Sequence, residues 1–252
     1  MKKTIYTLLF ALVPFVLSAQ STDAGKIDGD SAFVRGDYAS AITIYENLLS
    51  GDNESVDIYY NLGNAYYKNG EIAKAVLNYE RAALLRPGDK DIAFNLELAR
   101  SKTVDKVTPL PRFFLSEWMD VVINAFNMQT WSNVAIIFFM AMLLTILLFL
   151  FGKNIAVRKI SFFTAIFSLI ITIFANIAAF NQYIRLTERN EAVIMQPSVT
   201  VKSTPGNSGT DLFVVHEGRK VTITDDSMQG WKEIELEDGN VGWIPTEVME
   251  RI

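Results

Sequence analysis

The sequence contains no cysteine and only one histidine, His216. The absence of cysteine excludes disulfides, thiolate metal ligands and a cysteine nucleophile, and a single histidine excludes a multi-histidine metal site. No nucleophile–base pair and no carboxylate pair stands in a recognisable catalytic context, so we expect no catalytic site, no metal and no cofactor. The net charge is -5, and basic residues cluster in only one short stretch, which argues against a nucleic-acid partner.

Two long apolar runs, 134–151 and 160–180, contain no charged residue. At about 1.5 Å per residue, each is long enough to cross the roughly 30 Å hydrocarbon core of a membrane as a helix. The stretch between them, 152–159, carries three basic residues and no acidic one. The positive-inside rule therefore predicts a transmembrane hairpin with a cytoplasmic loop, and it places the flanking segments together on the other side.

The second apolar run contains one amide side chain, Asn176. An amide in lipid needs a hydrogen-bond partner, so we expect Asn176 at the contact between the two membrane helices. Neither run contains an acid or a base, which favours an anchor over a transporter or a proton relay.

Residues 1–19 have the layout of a secretory signal peptide. Lys2 and Lys3 precede an uncharged, mostly apolar run that ends in small residues at Ser18 and Ala19. We expect cleavage after Ala19; the alternative is an uncleaved anchor. An exported N-terminus agrees with the topology predicted from the basic loop.

A 34-residue period is visible between 22 and 106, and its clearest unit is 56–89. That unit holds Tyr59, Leu62, Gly63, Tyr66, Gly70, Ala75, Tyr79, Ala82 and Pro87. These spacings resemble the tetratricopeptide repeat (TPR), a pair of packed helices. The preceding unit is degenerate in its first helix, with Asp28 where leucine is expected and Ala32 where tyrosine is expected. We predict about two repeats followed by a solvating capping helix.

The TPR resemblance implies a protein-binding groove along the inner face of the first helices. By repeat position, Tyr60, Asn64, Tyr67 and Lys68 point into that groove. Asn64 resembles the asparagine with which many peptide-binding TPRs hold a ligand backbone amide. In the alternative interpretation, the two tyrosines pack against a neighbouring helix.

Residues 112–131 are rich in apolar side chains but include three charges. At helical spacing, Phe114, Trp118 and Val122 share one face, and Trp118 and Trp131 suit an aromatic belt. We predict an amphipathic helix in the membrane interface; the alternative is a core helix that packs on the repeats.

From 190 to 252 the apolar period changes to two, which predicts five short strands and a closed barrel. The runs 215–221 and 230–245 resemble the turn and the distal hairpin of the bacterial SH3-like domain (SH3b). Trp231 and Trp243 are candidates for its ligand surface, or else they are half-buried barrel residues. For His216 a structural hydrogen bond is the favoured interpretation over a chemical role.

The predicted fold is a multidomain membrane protein with an α-helical TPR array, a transmembrane helical hairpin and a small all-β SH3-like barrel. This order resembles the BatE proteins of bacterial aerotolerance (Bat) operons. The resemblance implies a non-enzymatic adaptor in the bacterial inner membrane, with its TPR and SH3b domains on the periplasmic side, linked to aerotolerance or envelope stress. Its partners would be other Bat-type membrane proteins that carry von Willebrand factor A domains. The alternative function is binding of peptidoglycan peptides in the cell wall.

Overall fold

The computed structural model describes residues 25–50, 53–106, 113–206 and 208–252. The predicted signal peptide, 1–19, lies outside these residues. The described chain divides into two compact units. One contains residues 25–83, 90–106 and 191–252, and the other contains residues 84–89 and 113–190. The first unit therefore combines segments from both sides of the apolar helices.

The repeat segment folds into helices whose described bounds are 25–34 (α1), Tyr38–Leu49 (α2), Val56–Asn69 (α3), Ile72–Leu85 (α4) and Lys90–Arg100 (α5). Gly70 ends α3 with a φ of 87°, a left-handed conformation that residues with a Cβ rarely adopt. The packing of α3 on α4 depends on Gly63, because a Cβ there would lie 2.8 Å from the ring of Tyr79. A second glycine, Gly29, lets Tyr45 of α2 approach α1 in the same way.

α4 is buried around most of its circumference. Eight of its fourteen residues are buried, including Ala75, Tyr79 and Ala82 on the face predicted to pack within the repeat. The polar side chains of Asn78 and Glu80 are buried as well. A helix at the surface of a repeat array has one solvated face, so another part of the chain must cover the outer face of α4.

The C-terminal segment forms seven antiparallel strands in the order β3-β2-β6-β5-β4-β1-β7. Their bounds are Glu191–Ile194 (β1), Ser198–Lys202 (β2), Asp211–His216 (β3), Lys220–Asp225 (β4), Trp231–Glu235 (β5), Val241–Pro245 (β6) and Met249–Arg251 (β7). The sequence predicted five strands. The short strands β1 and β7 pair with each other, and alternation cannot be recognised over three or four residues.

One face of this sheet is apolar and buried, with its core at Ala192, Ile194, Val199, Val201, Val215, Val221, Ile223, Ile234, Leu236, Ile244 and Val248. In β2, for example, Val199 and Val201 are buried while their neighbours are exposed or half-buried. This is the period-two pattern of a sheet with one solvated face. We call residues 191–252 the β-domain.

The second unit contains α6 (Phe114–Asn124), α7 (Met128–Phe151) and α8 (Ile155–Glu188). By length and composition, α7 and α8 are each able to cross a membrane. Only 6% of the apolar window of α7 and 17% of that of α8 is buried. The core helix of a soluble domain would instead be mostly buried.

The helix bounds in this unit differ from the predicted ones. The interfacial helix predicted over 112–131 is interrupted, because Asn127 starts α7 by accepting a hydrogen bond from the backbone N–H of Thr130 at 2.9 Å. The loop predicted over 152–159 is only three residues long. Asn154 caps the N-terminus of α8, and the basic residues that follow belong to its first turns, since positive charge does not by itself end a helix.

Candidate protein-binding surface

A half-buried polar cluster joins the first two repeats. Asp30 of α1 accepts hydrogen bonds from the hydroxyl of Tyr45 at 2.6 Å and from the side-chain amide of Asn61 at 2.8 Å. The ammonium of Lys26 lies 3.0 Å from the other carboxylate oxygen. One carboxylate therefore links α1, α2 and α3 through side-chain hydrogen bonds.

The same cluster recurs 34 residues later. Asn64 Oδ1 of α3 accepts from the hydroxyl of Tyr79 at 2.7 Å and from Nδ2 of Asn95 at 3.1 Å. Asn95 Nδ2 also donates to the hydroxyl oxygen of Tyr60 at 2.7 Å. Asn64 lies 34 residues after Asp30, Tyr79 after Tyr45, and Asn95 after Asn61. The polar contact between adjacent repeats is therefore itself periodic. The 34-residue spacing of these polar residues is visible in the sequence, but the pattern of apolar residues alone does not reveal the contact.

Ionisation in these clusters follows from burial and hydrogen bonding. Burial, the hydrogen bond to Asp30 and its charge raise the pKa of Tyr45. Burial acts to raise the pKa of Asp30 too, but hydrogen bonds from Tyr45 and Lys26 outweigh it and hold that pKa below its ordinary value. Burial, with a contribution from Tyr60 and Tyr67, raises the pKa of Tyr79. At neutral pH the tyrosines are therefore neutral donors, and Asp30 is ionised.

The four predicted groove residues occupy different environments. Tyr60 and Asn64 are half-buried and are joined through Asn95. Tyr67 is half-buried, and Lys68 is exposed at the end of α3. Among the residues that the structure describes, Asn64 Nδ2 has no hydrogen-bond partner, although Oδ1 has two. The donor half of this amide is available to an acceptor from outside the chain.

The β-domain covers the outer face of α4, and a buried ion cluster lies at this contact. Glu80 is 5% exposed, pairs with Arg100 of α5, and accepts from the ammonium of Lys220 at 3.1 Å. Lys220 also lies 2.8 Å from Glu191, the first residue of β1. Residues 140 positions apart are thereby brought together. No local pattern in the sequence predicts such a contact.

The charges in this cluster stabilise one another. Burial acts to raise the pKa of Glu80, but the positive charges of Lys220 and Arg100 outweigh it and the pKa is lowered. Burial acts to lower the pKa of Lys220, but the charges of Glu80 and Glu191 outweigh it and the pKa is raised. Both groups are therefore ionised at neutral pH.

Two further contacts join the repeats to the β-domain. Arg81 donates from Nη2 to the carboxylate of Glu250 at 2.9 Å and to the backbone carbonyl of Arg251 at 2.7 Å. The carboxylate of Asp105 accepts the backbone N–H of His216 at 2.8 Å and lies 2.7 Å from its Nδ1. The single histidine thus takes part in a domain contact, in keeping with the structural hydrogen bond favoured for it.

The outer face of β5 and β6 carries both candidate tryptophans. Trp231 pairs with Pro245 and Trp243 pairs with Glu233, so the two indoles are diagonal neighbours on the face opposite Ile234. Both are half-buried. Diagonal positions in an antiparallel pair lie roughly 7–8 Å apart, which is within reach of aromatic side chains.

Asn176 does not make the predicted contact between the apolar helices. Its Nδ2 donates to the carbonyl of Thr172 in the same helix at 2.8 Å, and the side chain is exposed. The contact is made instead by small buried residues of α8, Ala175 and Ala178. The partner of the Asn176 amide is therefore a backbone carbonyl one helical turn earlier in the same helix.

Polar contacts at the α6 end of the pair escaped the sequence prediction. The backbone carbonyl of Ile123 accepts from the indole N–H of Trp131 at 2.8 Å and from Gln182 Nε2 at 3.2 Å. The side chain of Asn124 accepts from Gln182 at 3.1 Å and from Arg185 at 2.9 Å. These bonds fix the end of α6 to both long helices.

Family comparisons agree with the repeat geometry. Residues 29–70 match the family described as TPR repeat, and residues 56–89 match the family described as Tetratricopeptide repeat. The chain matches no curated protein at a significant level. Within the described ranges there is no group of three or more histidine, cysteine or acidic residues able to hold a metal ion. The chain thus contains TPR repeats, whose general role is to bind other proteins.

Proposed function

We propose that this chain is a non-enzymatic, membrane-anchored adaptor that binds a protein partner along the first helices of its TPR repeats. The observation that carries the proposal is the half-satisfied amide of Asn64. Its acceptor is held by Tyr79 and Asn95, so its Nδ2 is oriented but unused among the described residues. A pre-oriented donor suits the backbone carbonyl of an extended partner segment, because little side-chain entropy is lost on binding. Tyr67 and Lys68 on the same helix add apolar area and positive charge.

The anchor in this proposal is the pair α7 and α8. The repeats and the β-domain belong to one compact unit, although both long helices lie between them in the chain. Two crossings return a chain to the side that it left, whereas one crossing would separate the two segments. The exposed apolar residues of α6, including Phe114 and Trp118, suit the membrane interface beside this anchor.

The proposed location is the bacterial inner membrane, with the TPR and SH3b-like domains in the periplasm. The basic connection supports a cytoplasmic loop, because Lys153, Arg158 and Lys159 lie at the same end of the hairpin. Reporter fusions after Ser101, at Asn154 and after Ile252 test this orientation, and the expected result is outside, inside, outside. A cytoplasmic reporter after Ser101 would contradict it.

The proposed partners are Bat-type membrane proteins with von Willebrand factor A domains, as the whole-chain resemblance implies. The test is co-purification of such a protein with the tagged full chain from detergent-solubilised membranes. Asn64→Asp keeps the acceptor and removes the donor, so we expect recovery of the partner to fall about tenfold, the effect of one lost hydrogen bond.

The matched control is Asn47→Asp, which makes the same change in charge on the exposed surface of α2. We expect this variant to recover the partner as well as the wild type does. Equal recovery with Asn64→Asp and with the control would contradict the role of Asn64. Absence of any von Willebrand factor A protein with the wild type would contradict the adaptor assignment itself.

A second candidate function is binding of peptidoglycan peptides by the β-domain. The observation in its favour is the pair of half-buried indoles, Trp231 and Trp243, on one outer face. Retention of the full chain on purified peptidoglycan, lost in Trp243→Ala, would establish this function. If the wild type is not retained, the wall-binding candidate fails and the adaptor remains.

A further inference from the structure

The hairpin has an apolar cavity of about 290 Å³ between its two long helices. Seven apolar residues line it: Met142, Ile146, Phe149, Phe162, Ala165, Ile166 and Leu169. A cavity of this size corresponds to the lower end of small-molecule sites, which span roughly 300–1,000 Å³. Its lining carries no side-chain N–H, O–H or oxygen, so it suits a hydrocarbon chain rather than a polar ligand.

A second cavity, of about 370 Å³, adjoins the first and shares Phe149 and Phe162 with it. Its lining includes two cationic side chains, Arg158 and Lys159, near the N-terminus of α8. Because the two cavities share Phe149 and Phe162, the hairpin offers an apolar lining next to a basic one.

The guanidinium of Arg158 is held at this basic end. Its Cζ lies 5.3 Å from the ring centroid of Phe149, a cation–π contact with the neighbouring helix. Neither Arg158 nor Lys159 has an acidic partner within the described parts of the chain. Two cations beside hydrocarbon need a counter-anion, and a planar guanidinium binds phosphate through two parallel hydrogen bonds.

We propose that these adjoining cavities form a binding site for an anionic phospholipid, with one acyl chain between α7 and α8 and the phosphate at Arg158 and Lys159. The proposal rests on the membrane anchor proposed above, and it adds a ligand to it. Charge complementarity selects this occupant, because the basic mouth lies where a lipid headgroup meets the helix ends. The positive end of the α8 dipole acts in the same direction.

The test is titration of the full chain, purified in detergent, with phosphatidylglycerol, read out by native mass spectrometry. Phosphatidylcholine with the same acyl chains is the comparison lipid, because its headgroup carries no net charge. We expect phosphatidylglycerol to bind preferentially. In Arg158→Gln/Lys159→Gln its affinity falls about thirtyfold, as for two basic residues lost at an anionic surface.

Lys153 provides the matched control for charge. It lies in the same connection but does not line the cavity, so Lys153→Gln leaves the preference for phosphatidylglycerol unchanged. If Lys153→Gln weakens binding as much per charge as the double variant does, attraction is diffuse and the site is refuted.

Ala165→Trp tests the acyl end without changing any charge. The larger side chain occupies the apolar cavity, so we expect it to lower the affinity for phosphatidylglycerol while both cations remain. Inorganic phosphate at millimolar concentration should not displace the lipid, since phosphate has no acyl chain to fill the apolar cavity. Displacement by phosphate, or full binding in Ala165→Trp, would overturn the proposal.

Failure of this site can be distinguished from failure of the anchor. Alkaline carbonate extraction of membranes releases a peripheral protein and leaves an integral one in place. Release would refute the hairpin anchor. An integral chain that binds the two lipids equally would refute only the lipid site.

Discussion

Replacement of Glu80 by glutamine should lower the stability of the fold, because it removes the central negative charge of the buried ion cluster. The carboxylate is 5% exposed and has two cationic partners, Arg100 and Lys220, and within the described chain Lys220 then retains only Glu191 as a counter-charge. Breaking a buried pair costs about 3–5 kcal/mol. Glutamine keeps one acceptor oxygen, and Arg100 is one-third exposed, so we expect about 3 kcal/mol, the lower end of that range.

The assay is thermal unfolding of the full chain in detergent, followed by tryptophan fluorescence. Trp231 and Trp243 report on the β-domain, Trp118 and Trp131 report on the second unit, and the repeat segment contains no tryptophan. For a protein of this size the expected loss corresponds to a fall in Tm of about 6–12 °C. Lys220→Gln should cost less in the Glu80→Gln background than in the wild type, because the two residues interact directly.

The matched control is Glu71→Gln, immediately before the same helix. Glu71 pairs with Lys74 at 2.7 Å, but both side chains are more than one-third exposed, so the loss should be about 1 kcal/mol or less. Equal Tm values for Glu71→Gln and Glu80→Gln would refute the docking of the β-domain on α4.

The pH dependence of stability gives an independent check on Glu80. Its pKa in the folded chain lies below the ordinary value of 4.5, so it stabilises the fold above that pH. This contribution is lost as the pH falls through the lower, folded-state pKa. Glu80→Gln should therefore flatten the acid limb of the stability curve, and an unchanged acid limb would count against an ionised Glu80.

Three further substitutions test other contacts, each by the free energy of unfolding of the full chain in detergent. Gly63→Ala places a Cβ 2.8 Å from the ring of Tyr79 and should cost about 1–3 kcal/mol; a neutral effect would contradict the close helix contact. Asp105→Ala removes the acceptor of two bonds from His216 and should cost about 2 kcal/mol; a neutral effect would contradict this contact between the repeats and the β-domain. Trp131→Phe keeps the ring but loses the N–H donated to an α6 carbonyl; it should cost about 1 kcal/mol, and Trp131→Ala several times more.

The apolar part of the repeat could be predicted from the sequence because it depends on neighbours along the chain. Gly63, Tyr79 and Gly70 take the roles that their spacing indicates, since helix packing and a left-handed turn each demand one residue type at one position. The contacts of Glu80 and Asp105 could not be predicted. Their partners in the β-domain lie more than one hundred residues away, and either carboxylate would also be ordinary on a solvated surface.

Element ends were harder to predict than element types. The apolar run predicts that the second long helix starts at 160, because charged residues precede it, whereas the capping residue Asn154 starts α8 at Ile155. The apolar pattern predicts Asn176 at a helix contact because lipid offers no partner, yet the carbonyl of Thr172 one turn earlier accepts its hydrogen bond. Both outcomes depend on hydrogen bonds within one helical turn, which the pattern of apolar residues does not reveal.

The docking of the β-domain on α4 also constrains the order in which the chain can fold. Arg81 of the repeats meets its partner in β7 only after 169 further residues have been synthesised, including the whole apolar hairpin. Until then Glu80 lacks the ammonium of Lys220, and the outer face of α4 is uncovered.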